Sequence, residues 1–322
     1  MESNVLVEHV IPGDIPTLIE QSLTLRRLRG LADNTIKAYR ADLLMLAAYL
    51  QRFDITLVQL VSERMVNNWI DDGLLHHQWS TRTAARRLAA VNSFFLWCGE
   101  RGLIKHQPAA RIRIRFRPRQ VIAPELDDLK AVIDAIGTTE PVDIRDRAIL
   151  LLMLDCALRV SEVSGLDAGQ GRGVYYAVNE DASRVYVRPK GGEVGDREVV
   201  GMEPITVAAV KAWRHVRPAM ARDTEVALFV HANGRRISRM TLFHVVRDRG
   251  RAAGVEGLHP HLFRHRRLGG VIESAGLDAG SALARHKHKS TTVNVYGAHA
   301  AEVQRQAIRM QAPLGEFACN SW

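Results

Sequence analysis

HPHLFRHRRLGGVIESAGLDAGSALARHKHKSTTVNVYGAH, residues 259–299, is the stretch on which the reading of this chain turns. Pro260 suits the first turn of a helix, where a missing N–H is no loss. A helix that starts there sets His261 and Arg264 three residues apart on one face. A group able to move a proton and a fixed cation then point the same way. A second helix is predicted from Ala279 to Arg285, followed by His286 and, ten positions later, by Tyr296. A phenolic nucleophile needs an anion clamp and a proton shuttle beside it, and this segment supplies all three kinds of group.

A chain of 322 residues has the length for two domains of ordinary size. Its 47% hydrophobic and 25% charged residues are the balance of a globular protein. The signs are unequal: 44 Lys and Arg against 35 Asp and Glu leave a net charge of +9. That excess favours a polyanionic partner, nucleic acid ahead of an acidic membrane surface. Cys98, Cys156 and Cys319 lie far apart and make no disulfide framework, so a reducing cytoplasm is the expected location. The N-terminus lacks a basic start followed by an apolar core, and nowhere do 18 apolar residues run unbroken. Neither a signal peptide nor a membrane span is expected.

Residues 1–14 read as a loose arm. From Asp33-Asn34 the pattern becomes helical, with Ile36, Tyr39, Leu43, Leu46 and Leu50 at steps of three and four. Val58 to Trp69 and Thr81 to Cys98 repeat it, the latter turning Leu88, Val91, Phe95 and Cys98 inward. Residues 15–107 are therefore expected to form an all-helical bundle. Arg82, Arg86 and Arg87 fall away from the apolar stripe of its third helix, where they can meet DNA or simply face solvent.

RIRIRFRPR, residues 111–119, has a different period. In an extended chain Arg111, Arg113, Arg115 and Arg117 share one edge, with Ile112, Ile114 and Phe116 on the other. Same-side arginines then recur about every 6.6 Å, close to the spacing of phosphates along a DNA strand. An exposed edge strand would show the same alternation. With Pro108, Pro118 and Pro124 around it, the stretch 108–124 reads as a basic interdomain linker.

Beyond it, residues 125–322 are expected to form an α-rich domain with a small β-sheet. Glu125 to Ile136 and the apolar Arg145 to Ala157 read as helices, the second running into Arg159-Val-Ser-Glu162. An arginine after so apolar a run needs an anionic partner, and Glu162 can supply part of it. Arg184 to Arg188 and Arg197 to Val200 alternate as a hairpin with Lys190 near its tip. Pro204 to Arg214 is helical, Leu228 to Val230 a short strand, and Ser238 caps a helix that Gly254 ends. Ala300 to Met310 reads as a last short helix. Gly-rich residues 169–173 lack the strand and helix of a dinucleotide site. His259, His261 and His265 invite zinc, but no carboxylate or Cys completes a set at the usual spacing; no metal and no cofactor are expected.

Taken in order, Arg159, Lys190, His261, Arg264, His286 and Tyr296 resemble the catalytic set of the tyrosine recombinases, the phage integrase family. NTIKAYRADL and RRLAAVNSFFLWCGERGLI resemble that family's helical, SAM-like core-binding domain. ALRVSEVSGL, RPKGGEVGDREVV, HLFRH and ARHKHKSTTVNVYGAH resemble its catalytic motifs. Three departures stand out. Arg285 occupies the usual glycine before the final His, Arg266 stands where a small hydroxyl residue is common, and His286 lies ten rather than nine before Tyr296. His288 remains an alternative to His286.

The resemblance implies a tyrosine recombinase fold and a chemistry that the side chains permit. Arg159 and Arg264 would grip a phosphodiester in a fork that lysine cannot copy. His261 would exchange a proton with Tyr296, Lys190 would protonate the leaving 5′ oxygen, His286 would bond the phosphate, and Glu162 would orient the site. It further implies duplex core sites as substrate, four protomers on two sites, and a C-terminal segment packing on a neighbour. An accessory protein or partner recombinase is compatible with this. The bundle begins near the first residue, so a simple two-domain, Xer-like or resolvase-like enzyme is expected. A type IB topoisomerase and a catalytically inactive DNA-binding relative remain as alternatives.

Overall fold

The computed structural model describes residues 13–115, 123–169, 177–179, 181, 183–187 and 197–285. The chain divides into two compact units, with the boundary between residues 119 and 120.

Four helices make the first unit. α1 (Ile15–Leu28) starts where the Asp14 carboxylate accepts the Thr17 N–H at 2.9 Å, with Pro16 in the first turn. It adds to the three helices expected, and Asp14-Ile15-Pro16 is its signal. α2 (Asp33–Gln51) buries Ile36, Leu43, Leu46 and Leu50. The helix expected from Val58 to Trp69 is instead two elements, a 3-10 turn at Val58–Leu60 and α3 (Glu63–Leu75). The break comes at Ser62, whose hydroxyl accepts the Met65 N–H at 3.3 Å; serine is worth more as a cap than inside a helix. α4 (Thr81–Glu100) turns Ala84, Leu88, Val91, Phe95 and Cys98 into the core. Ala109 and Ile112 join the same core, so this unit runs past residue 107 into the basic stretch.

The second unit is built round α6 (Pro141–Asp155), whose residues from Ala148 to Met153 are all buried. A helix apolar on every side needs cover on every side, and α5 (Leu126–Asp134), α7 (Val160–Gly165), α8 (Pro204–Val216) and α10 (Pro260–Ala284) supply it. α9 (Arg239–Ala252) is capped by Ser238 and ends before Gly254, as expected. The sheet is antiparallel, in the order β1 (Ala177–Val178), β2 (Arg184–Val187), β3 (Glu198–Gly201), with Tyr186 opposite Val199. Val185 and Val187 face the core. Leu228 to Val230 is not a strand: Leu228 donates to the Leu166 carbonyl while Phe229 accepts from Ile237, so its bonds diverge and only isolated bridges form.

The two helices expected within 260–285 are both present and meet at a kink at Gly276; together they are α10. There φ is +85° and ψ 173°, a conformation essentially confined to glycine. Past the break, Gly280 lies so close to Ile272 that a Cβ on Gly280 would overlap the Ile272 side chain. The close approach returns Ala284 to a small core with Ala157, Leu268 and Ile272. Among the described residues no helix is long and apolar enough to cross a membrane.

Candidate active site

The end of α6 and the end of α10 meet at a cluster of arginines. Helix C-termini expose carbonyls with no intrahelical donor and carry partial negative charge, so guanidiniums are their natural partners. Arg159 stands at the N-cap of α7. Its Nη1 donates to Glu162 Oε1 at 2.7 Å, and its backbone N–H donates to Glu162 Oε2, also at 2.7 Å. Its Nη2 donates to the Ala284 carbonyl at 3.0 Å.

Arg264 lies one turn into α10 and is buried. Its Nη1 donates to the carbonyl of Ala157 and its Nη2 to the carbonyl of Ala284. Two guanidiniums therefore converge on one oxygen, that of Ala284. Ala157 presents its carbonyl from a left-handed conformation, φ +48°, just beyond α6.

Glu162 is the buried anion of the cluster. Besides Arg159 it accepts a hydrogen bond from Arg285, Nη2 to Oε2 at 2.7 Å. Arg285 is the C-cap of α10, with φ +53° and ψ +48°, and its side chain is only 2% exposed. Its Nη1 donates to the Leu283 carbonyl at 3.0 Å, and its Nε lies 3.8 Å from Glu198 on β3. Arg285 and Glu198 are not among the site residues expected; the contacts of Arg285 with Glu162 and Glu198 join positions too far apart in the chain for any spacing rule to catch.

His261 sits on α10 one turn before Arg264, reaching the surface but with part of its ring covered by protein. That partial loss of solvent, then the neighbouring His259, Arg264 and Arg159, push its imidazole below the ordinary histidine value. His265 is shifted down in the same way, by burial first and then by His261, Arg264 and His259. His259 stacks flat on Phe243, ring centroids 6.4 Å apart, and is lowered by burial. No group of three or more potential metal ligands occurs among the described residues.

The expected arginine groups divide. Arg82 is exposed on α4. Arg86 and Arg87 do not both lie on a solvated face: Arg86 donates to the buried Asp42, Nη2 to Oδ1 at 2.9 Å, and Arg87 stacks 3.7 Å above the Trp79 ring with its Nε 3.5 Å from Asp42. Asp42 on α2 holds both; Arg87 is largely covered, while Arg86 stays exposed like Arg82. Arg111, Arg113 and Arg115 are exposed while Ile112 is buried and Ile114 half-buried, the alternation expected of an extended stretch. Lys190, His286, Tyr296 and Arg117 lie outside the described residues, as do residues 1–12 of the expected arm and the expected helix from Ala300 to Met310.

Two arginines, Arg159 at the start of α7 and Arg285 at the end of α10, thus meet on the buried Glu162, while Arg264 bonds the neighbouring carbonyls of Ala157 and Ala284. Comparison with known proteins specifies the class. The phage integrase family matches residues 125–302, and the phage integrase N-terminal SAM-like domain matches residues 22–102. The chain is 30% identical over 264 residues to tyrosine recombinase XerC of Chromohalobacter salexigens, covering 80% of this chain and 83% of the relative. It is 29% identical over 286 residues to tyrosine recombinase XerD of Mycobacterium tuberculosis, covering 83% and 88%. In fold it is similar to the Tn1549 transposon integrase solved with transposon right end DNA, with a TM-score of 0.68 over 92% of this chain and 99% of that one, at 15% identity. The chain belongs to the phage integrase family, and its activity is site-specific DNA recombination of the tyrosine recombinase type.

Proposed function

We propose that the chain cuts and rejoins duplex DNA at short core sites through a 3′-phosphotyrosyl intermediate carried by Tyr296. The observation that carries the reading is the convergence of Arg159 and Arg264 on the Ala284 oxygen, which supports a pair of guanidiniums able to hold one phosphate oxygen between them. In the first step the Tyr296 oxygen bonds to phosphorus and gives its proton to His261, while the bond from phosphorus to the 5′ oxygen breaks and that oxygen takes a proton from Lys190. Phenol has an ordinary pKa near 10, so the charge that builds on the phosphate must be met, and Arg159, Arg264 and His286 do so. Glu162 orients Arg159.

Religation runs the steps backwards from a new 5′ hydroxyl. One phosphate ester replaces another at each step, so neither ATP nor a metal ion is consumed. The partners proposed are duplex DNA and three further copies of the chain, with residues 300–310 packing on a neighbour. Arg82, Arg111, Arg113, Arg115 and Arg117 are proposed as backbone contacts, and Arg86 and Arg87 as supports of the bundle that also reach DNA.

The test uses a nicked duplex whose sequence the protein has first selected from random DNA, in EDTA and without ATP. Wild type is expected to form a covalent adduct that Tyr296→Phe does not, and to join strands from two sites. An adduct from Tyr296→Phe would remove Tyr296 as nucleophile; relaxation of supercoils without two-site joining would move the activity to a topoisomerase.

A further inference from the structure

We propose that Arg285 is a positioning residue that sets Arg159 for the reaction by holding the far side of Glu162; the inference rests on the function proposed above. Arg285 takes up a left-handed backbone, φ +53°, which is unfavourable for a residue with a Cβ and costs glycine little. Backbone geometry alone would therefore choose glycine. An arginine here has to recover that cost through its side chain, and its hydrogen bonds show how.

The guanidinium is 2% exposed and bonded on three sides: Glu162 Oε2 at 2.7 Å, the Leu283 carbonyl at 3.0 Å and the Ala157 carbonyl at 3.4 Å. Glu162 is left with one oxygen for the Arg159 guanidinium and one shared between Arg285 and the Arg159 backbone. Arg159 alone would hold both oxygens, through its guanidinium and its backbone N–H; Arg285 is the contact that ties Glu162 to the end of α10 as well. Arg285 also adjoins Ala284, whose carbonyl is the second anchor of Arg159. Of the two groups that fix the Arg159 fork, Glu162 is bonded by the Arg285 side chain and the Ala284 carbonyl by Arg264.

The Arg285 side chain is almost wholly buried where that of Arg159 is partly exposed, so it acts through Arg159 and not by touching the phosphate. The charge balance fits the role. Three guanidiniums around the single buried carboxylate leave the cluster cationic, with the half-exposed Glu198 only at its edge. A cationic cluster suits an incoming phosphate.

The test is single-turnover cleavage of the selected nicked duplex by wild type, Arg285→Gly, Arg285→Lys, Glu162→Gln and the Glu162→Gln, Arg285→Gly double variant, beside DNA binding measured for each. Glycine relieves the backbone, so a slower reaction in Arg285→Gly reports the side chain. Its cleavage rate is expected to fall about 10- to 100-fold, the range for a slightly misplaced catalytic group, with DNA affinity unchanged. Lysine, which can reach one Glu162 oxygen but cannot copy the fork, is expected to recover part of the rate. The double variant should cleave no more slowly than the slower single variant, because both changes act on Arg159 through one ion pair. Wild-type rate in Arg285→Gly, multiplying effects in the double variant, or weakened binding that tracks the weakened cleavage overturns the proposal while leaving the recombinase reading intact. Absence of an adduct from wild type overturns that reading, and this proposal with it.

Discussion

His261 shows how environment suits a single residue to the role proposed for it. Burial, then the neighbouring His259 and the cations of Arg264 and Arg159, hold its imidazole below the ordinary value of 6.5, so it is neutral at pH 7 and able to take a proton. The acid limb of the cleavage rate should therefore fall below pH 6.5, and a limb centred at or above 6.5 would contradict the environment described. The same shift bears on stability. His259, His261 and His265 all bind protons more weakly folded than in an unfolded chain, so their contribution is fully present above about pH 6.5 and is lost as pH falls toward their folded values. The melting temperature should drop on acidification through that window, and His265→Gln should flatten the slope. At this scale the sequence is a good guide where partners are neighbours: spacing alone pairs Arg159 with Glu162, three positions on. It is mute on Arg285, visible only as an odd residue in a glycine's place, because its partner Glu162 stands 123 positions away.

Among the elements, α10 depends most on one backbone point. Gly276 places the chain in a region essentially closed to other residues, and the segment after it carries Ala284 and Arg285 to the arginines. Gly276→Ala should cost about 1–3 kcal/mol of stability, read by denaturant unfolding, and should slow cleavage by more than it weakens DNA binding. An alanine that leaves both untouched would mean that the break is not needed to bring Ala284 home. The helices are legible because a 3.6-residue apolar period survives noise; α4 and α9 begin where the sequence puts them, while α2 starts at Asp33 after Ala32, without the Asp or Asn side-chain cap expected. The misses are of two kinds. β1 is two residues long and has no period to read. The segment 58–75 hides a break because its apolar pattern continues across Ser62. In the stretch 260–284 the two helices expected are there, with Gly276 at the kink between them.

At the scale of the whole molecule, the net charge of +9 and the exposed Arg111, Arg113 and Arg115 make DNA binding a matter of displaced counterions. Affinity should fall steeply with salt, and replacing Arg113 and Arg115 by Ala should reduce the slope of log K against log salt by roughly 0.9 for each phosphate the protein no longer neutralises. A slope that does not change would take the basic stretch off the DNA. The cluster of arginines has another consequence, for how the molecule is made. Arg159 reaches the Ala284 carbonyl across 125 positions, and Arg264 reaches that of Ala157 across 107. Pairings of such separation form late, after the loops between them have closed. A chain emerging from the ribosome has α5 to α9 before Arg159 and Arg264 have their shared partner, and the two arginines can meet on it only when Ala284 arrives.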